Sequence, residues 1–154
     1  KNIVEIRSPN ATRPWQHVLE PLSGYLTLGA KLLNDNRING EPFNFGPKSN
    51  QDITVKALLE NLAEIWGWDE IDSAIRINDN KSKFKEAGLL KLNCRKAKDL
   101  INWEPNLNFN ETLLYVSDWY KEYFSGSKNI NKFTLGQVDQ YEKLAIDRKK
   151  DWVN

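Results

Sequence analysis

Pro9-Asn10-Ala11-Thr12-Arg13-Pro14-Trp15-Gln16-His17-Val18-Leu19-Glu20-Pro21, running on through Leu22-Ser23-Gly24-Tyr25-Leu26, is the stretch on which the reading of this chain turns. It sets a guanidinium, an indole, an amide and an imidazole between Arg13 and His17. If the segment is extended, alternation places Trp15 and His17 on the same side as Arg13. A guanidinium is a planar fork that matches phosphate oxygens, so the cluster suits a diphosphate carrying a ring. The same spacing also suits a plain strand, with Trp15 in the core, His17 satisfied beside it and Arg13 on a surface carboxylate.

Working outward, Ile3 to Arg7 is β-branched and partly alternating, and Ser8 to Ala11 carries turn chemistry. Thr12 to Val18 can then return as a second extended segment, which predicts a β-hairpin. Glu20-Pro21 offers an acidic cap with Pro in a first turn. Leu22, Tyr25, Leu26, Leu28, Leu32 and Leu33 continue as the stripe of a helix ending near Asn34 to Asn36. Pro42 to Pro47 reads as a short strand. Asp52 or Thr54 caps a helix with apolar positions Val55, Leu58, Leu59, Leu62, Ile65 and Trp66, which stops at Gly67. Ala74 to Ile77 and Leu89 to Leu92 read as extended, and Cys94 to Ile101 as a short helix begun at Asn93. Asn108 or Asn110 starts a helix through Leu113, Leu114, Val116, Trp119, Tyr120 and Tyr123, closed by Ser125-Gly126-Ser127. A last helix runs from Thr134 to about Lys150. The pattern is α/β, mostly helical, with a β-hairpin and a few short strands.

Composition narrows the function. The 154 residues carry 22 Lys and Arg against 21 Asp and Glu, a net charge of +1, which argues against a nucleic-acid tracker. Cys94 is the single cysteine and His17 the single histidine, so neither an intrachain disulfide nor a clustered zinc site can form from them. Cys94 reads as a small packed side chain. Without a long apolar run or a signal-peptide core, the expectation is a cytoplasmic protein. Met is absent and residue 1 is Lys, so the chain is expected to be a piece of a longer one.

Two motifs of nucleotide-dependent redox enzymes are missing. The eight glycines never cluster as a strand-to-helix phosphate turn. Each Tyr also lacks a Lys four residues on, the spacing that would lower a phenol pKa for proton transfer. The aromatic positions Trp119, Tyr120 and Tyr123 leave open either a core stripe or a face that binds a partner protein.

The stretch from Pro9 to Leu26 closely resembles the segment that marks CDP-glucose 4,6-dehydratases among extended short-chain dehydrogenases. The likeness continues through Phe43-Asn44-Phe45-Gly46-Pro47, through Glu86 to Ala97, and through Trp103-Glu104-Pro105 with Thr112 and Trp119-Tyr120. It divides the chain into residues 1–124, the C-terminal substrate-binding portion of such an enzyme, and a C-terminal helical extension, 125–154. The resemblance implies that Arg13 grips a substrate diphosphate, that Asn44 sits at the nucleotide, and that Lys83 to Ala87 closes over it through Lys83, Lys85 and Glu86. Trp15 and His17 are further substrate contacts. It also implies NAD-dependent oxidation at C4 of the sugar, elimination of water across C5 and C6 and reduction at C6. In the parent enzyme, expected to be a homodimer, a separate N-terminal half holds NAD and the catalytic groups. The portion alone is expected to be inactive. Lys85 stands where the family places His, Asn93-Cys94-Arg95 replaces Asp-Cys-Ser, and Asn102 replaces Gly, so UDP- and GDP-sugar epimerases or dehydratases stay open beside CDP-glucose.

Overall fold

A computed structural model of the chain describes residues 3–68, 74–78 and 88–153. These fall into two compact units, Lys1–Pro14 with Asn50–Lys91, and Trp15–Ser49 with Leu92–Asn154.

In the first unit, strand β1 (Val4–Ile6) pairs in parallel with β2 (Ile75–Ile77), in the register Val4 to Ile75 and Ile6 to Ile77. The expected hairpin does not form. Thr12 makes only single bridges, to Thr54 and to Leu89, and the extended run from Leu89 shrinks to that contact. The reason lies at the turn, which closes with Ala11 N–H donating to the Ser8 carbonyl (3.1 Å). The carbonyls of Pro9 and Ala11 then accept from Lys56 N–H (2.9 Å) and Val55 N–H (3.0 Å). Those amides open helix α2 (Val55–Ile65) and have no partner within it, so the turn caps a helix rather than returning a strand. Thr54, one of the two expected caps, accepts from Ala57 N–H (3.1 Å), while Asp52 pairs with Lys91 (2.6 Å). Gly67, at φ 66, closes the helix in a conformation that glycine adopts without strain. The segment Lys83 to Ala87 lies outside the described residues.

The second unit is helical: α1 (Leu19–Leu32), α3 (Arg95–Ile101), α4 (Phe109–Phe124) and α5 (Ile130–Asp147), with 3₁₀ turns at Asn36–Ile38 and Asp151–Val153. Helix α1 stops short of the expected Asn34, and α5 starts ahead of Thr134. The run from Pro42 to Pro47 forms no strand among the described residues. The prolines at both ends lack donors, and the run instead delivers Phe45 to a core of Ile38, Ala97, Ile101 and Trp103. Phe45 meets Trp103 edge-on at 4.9 Å. Cys94 packs on this core, where burial pushes its thiol up, as fits a packed side chain.

Helix α1 departs most from its expected stripe. It buries Glu20, Ser23, Gly24 and Thr27, whereas Leu22, Tyr25, Leu26 and Leu33 are exposed, Leu26 at 76%. Of the predicted set, Leu28 and Leu32 pack on the core, and the exposed Tyr25 meets the Phe45 ring edge-on at 5.5 Å. Gly24 explains the inversion locally, because a Cβ there would stand 2.3 Å from the Phe45 ring. Asn102 ends α3 at φ 56, a left-handed position that glycine and asparagine tolerate best, which accounts for either residue at this point. Asn108 and Glu111 form a reciprocal capping box at the start of α4.

Gly24→Ala should therefore overpack the α1–Phe45 contact and lower stability by about 1–3 kcal/mol in urea unfolding, without changing the helical content.

Candidate functional site

The first turn of α1 is organised around a carboxylate that water hardly reaches. Glu20 is 1% exposed, and its two oxygens accept from the backbone N–H groups of Leu107 (2.7 Å) and Asn106 (2.9 Å). Burial raises its pKa, against the pull of those amides, the Tyr141 hydroxyl and the Lys150 charge. Beside it Ser23 Oγ donates to the Glu20 carbonyl (2.8 Å) and accepts from Trp103 Nε1 (2.9 Å) and the Tyr141 hydroxyl (3.2 Å). Burial and the Glu20 charge push the Tyr141 phenol upward. Arg148 donates to the Asn106 carbonyl and pairs with Glu111 (2.5 Å), and Lys150 donates to the Pro105 carbonyl (2.8 Å). The expected acidic cap is thus a buried clamp. Val18 holds the N-cap position with no side-chain cap.

His17 stands just before this turn. Its Nδ1 accepts from Leu19 N–H (3.3 Å), so Nε2 carries the proton in the neutral ring, and its carbonyl accepts from Glu20 N–H (3.0 Å). The ring meets Tyr115 edge-on at 5.5 Å. It lines a cleft of about 320 Å³ together with Gln16, Val116, Trp119, Tyr120 and Gln137, with Val18, Leu19, Thr134 and Val138 completing the walls. Gln16 Nε2 donates to the Phe45 carbonyl (3.0 Å), and its buried Oε1 has no partner among the described residues.

Half-buried Trp15 and exposed Asn44 belong to the second unit but do not line the cleft. Asn44 Nδ2 donates to the Asn93 carbonyl (3.3 Å), which fixes the amide at the loop surface. Arg13 belongs to the first unit, half-buried, with Nη1 donating to the Thr12 carbonyl (2.8 Å). Lys83, Lys85 and Glu86 lie outside the described residues. The roles of Glu20, Trp103 and Asn106 are not visible in the sequence. A carboxylate placed one residue before a helix-opening Pro, with an apolar stripe behind it, reads as solvated until its distant amide partners are known. At the end of α4, Tyr120, Tyr123 and Phe124 are largely exposed, and Trp119 stacks on Tyr123 at 5.3 Å. That end of the helix is a surface cluster rather than a core stripe.

The described residues offer no glycine-rich cradle for a dinucleotide. No described strand-to-helix turn carries clustered glycines: Gly24 serves helix packing, Gly46 lies against Leu92, and a Cβ added at Gly29, Gly40, Gly67, Gly88, Gly126 or Gly136 would meet nothing within 4 Å. Among the described residues no group of His, Cys, Asp and Glu is placed to hold a metal ion, and no helix is long and apolar enough to cross a membrane.

The described residues form five helices and a parallel strand pair, an α/β arrangement. The chain is 37% identical over 123 residues to a CDP-glucose 4,6-dehydratase of Salmonella typhimurium strain LT2. The match takes in 80% of this chain and 33% of that protein, so the chain spans about a third of its relative's length. No protein-family model matches the chain. Over most of its length the chain is thus similar to part of a CDP-glucose 4,6-dehydratase, the class that residues 9 to 26 resemble.

Burial holds the His17 imidazole below its ordinary 6.5. Between that lowered value and 6.5 the unfolded chain binds a proton that the folded chain does not, so stability rises with pH there and is lost as pH falls below 6.5. Urea midpoints measured across this window should drop as the pH drops in the parent sequence, and drop less steeply in His17→Gln.

Proposed function

We propose that this chain is the sugar-nucleotide-binding portion of a CDP-glucose 4,6-dehydratase, and that the NAD-binding and catalytic groups reside on polypeptide outside it. The observation that carries the reading is the 37% identity over 80% of the chain, set against coverage of only 33% of the relative. In this reading Arg13 grips the diphosphate through its planar fork, Asn44 contacts the nucleotide, and Trp15 and His17 are further contacts to the substrate. Lys83, Lys85 and Glu86 belong to the reading through the sequence alone. NAD-dependent chemistry at C4 to C6 of the sugar is the work of the absent half, since neither a Gly-rich turn nor a Tyr-Lys pair is present.

The fold supports the need for a complement. Parallel strands ordinarily lie in larger sheets covered on both faces, and among the described residues β1 with β2 is a two-stranded pair in which Val4 and Ile77 are exposed. Helix α1 leaves Leu22, Tyr25, Leu26 and Leu33 uncovered. An NAD-binding half supplying strands and an apolar layer would satisfy both. A second reading, a protein-interaction module, rests on the exposed aromatic cluster of Tyr120, Tyr123 and Phe124.

The test is calorimetric titration of the chain joined to the NAD-binding two thirds of a related dehydratase. CDP-glucose should bind more tightly than UDP- or GDP-glucose, and Arg13→Ala should weaken it by about 1.5–3 kcal/mol, the worth of charge-assisted hydrogen bonds. Tightest binding of UDP-glucose would exclude the CDP assignment. The chain alone, given NAD and CDP-glucose, should form no 4-keto sugar; turnover by it would overturn the division of labour.

A further inference from the structure

Helix α5 lies beyond the residues that carry the family resemblance, yet it is built into the second unit. Tyr141 is 3% exposed and Ala145 is fully buried. The Tyr141 carbonyl accepts from Asn106 Nδ2 (3.0 Å), and its ring stacks on Trp152 at 5.7 Å. Gln137 Nε2 donates to the Tyr115 carbonyl (2.8 Å), and Trp119 Nε1 donates to Thr134 Oγ1 (2.9 Å), so α5 is tied along the length of α4. Two sets of its contacts converge on residues 17 to 20. Thr134, Gln137 and Val138 wall the cleft that His17 lines, and the Tyr141 hydroxyl reaches Ser23 and Glu20 at the first turn of α1.

We propose that helix α5 is the positioning element of the His17 site, closing one wall of its cleft and, through Tyr141, fixing the Glu20 turn from which the imidazole is held. The Glu20 clamp sets the turn, and the turn supplies the Leu19 N–H that selects the His17 tautomer. The titratable groups facing the imidazole are Tyr115 and Tyr120 of α4. Glu20 directs its carboxylate to the Asn106 and Leu107 amides, and α5 brings no charged side chain to the cleft. Burial, rather than a neighbouring charge, lowers the pKa of the ring, and Val138 and Gln137 wall the cleft it lines. That the cleft serves a ligand rests on the sugar-nucleotide reading; the bracing of His17 does not.

The chain holds one histidine, so the ring resonances of His17 can be followed by NMR titration of the labelled chain without overlap. The expected result is a midpoint below 6.5 with the proton on Nε2 in the parent sequence. Val138→Ala, which thins the cleft wall, and Tyr141→Phe, which removes the hydroxyl but keeps the ring on Trp152, should each shift the midpoint toward 6.5. Leu135→Ala, on the exposed side of α5, should leave it in place. General weakening of the helix would not move a titration midpoint in the folded chain, so the shift separates positioning from stabilisation. An unmoved midpoint in folded Val138→Ala overturns the proposal, and that variant decides alone if Tyr141→Phe does not fold. The measurement needs no sugar nucleotide, so a chain that fails to bind CDP-glucose would sink the functional reading and leave this one standing.

Discussion

A carboxylate removed from water has to find donors, and in the second unit Glu20 finds them on the segment from Trp103 to Leu107. Its two oxygens take the Asn106 and Leu107 amides, groups that precede helix α4 and that no helix could satisfy. Neither partner could be buried alone without leaving a polar group unpaired. Burying them together pins α1 to the entry of α4. Trp103, with no exposed surface, then closes the same contact from below by donating to Ser23. Arg148 and Lys150 add the carbonyls of Asn106 and Pro105 from the other side. A five-residue stretch without helix or strand is thereby held as firmly as the helices around it.

This arrangement explains why α1 is turned inside out relative to its sequence pattern. The periodic leucines predict an apolar inner stripe, and the helix expected from Glu20-Pro21 to near Asn34 forms over Leu19–Leu32. Which side faces inward is decided elsewhere, by Gly24 beneath the Phe45 ring and by the polar demands of Glu20 and Ser23. Hydrophobicity names a face that wants burial. It does not name the partner.

Local chemistry was legible in the sequence and distant pairing was not. Thr54 and Asn108, each one of two caps the sequence left open, accept from an amide three residues on, a contact within reach of local spacing. The hairpin failed because β1 pairs with residues far along the chain, and because the carbonyls of Pro9 and Ala11 are taken by α2. The same division holds at the candidate site. The cluster from Arg13 to His17 is visible as chemistry, but the cleft beside His17 depends on α4 and α5, and nothing in residues 9 to 26 announces it. Asn44 entered through resemblance alone; its amide contact with Asn93 crosses from one loop to another.

The role of α5 follows from the same logic of polar satisfaction. Helix α5 could have remained a surface appendage, and its exposed Leu135 and Ile146 show that one side of it is just that. Its other side carries Gln137, Tyr141 and Ala145, each buried, and two of the three are polar groups matched to specific partners: Gln137 to the Tyr115 carbonyl and Tyr141 to Ser23. Apolar contact would permit sliding along α4, whereas paired hydrogen bonds fix a single register. Once the register is fixed, Thr134 and Val138 arrive at the His17 cleft as a consequence of Tyr141 arriving at Ser23, because both project from one rigid helix. The geometry around His17 is therefore set at two points of one element, and a change at either is felt by the imidazole.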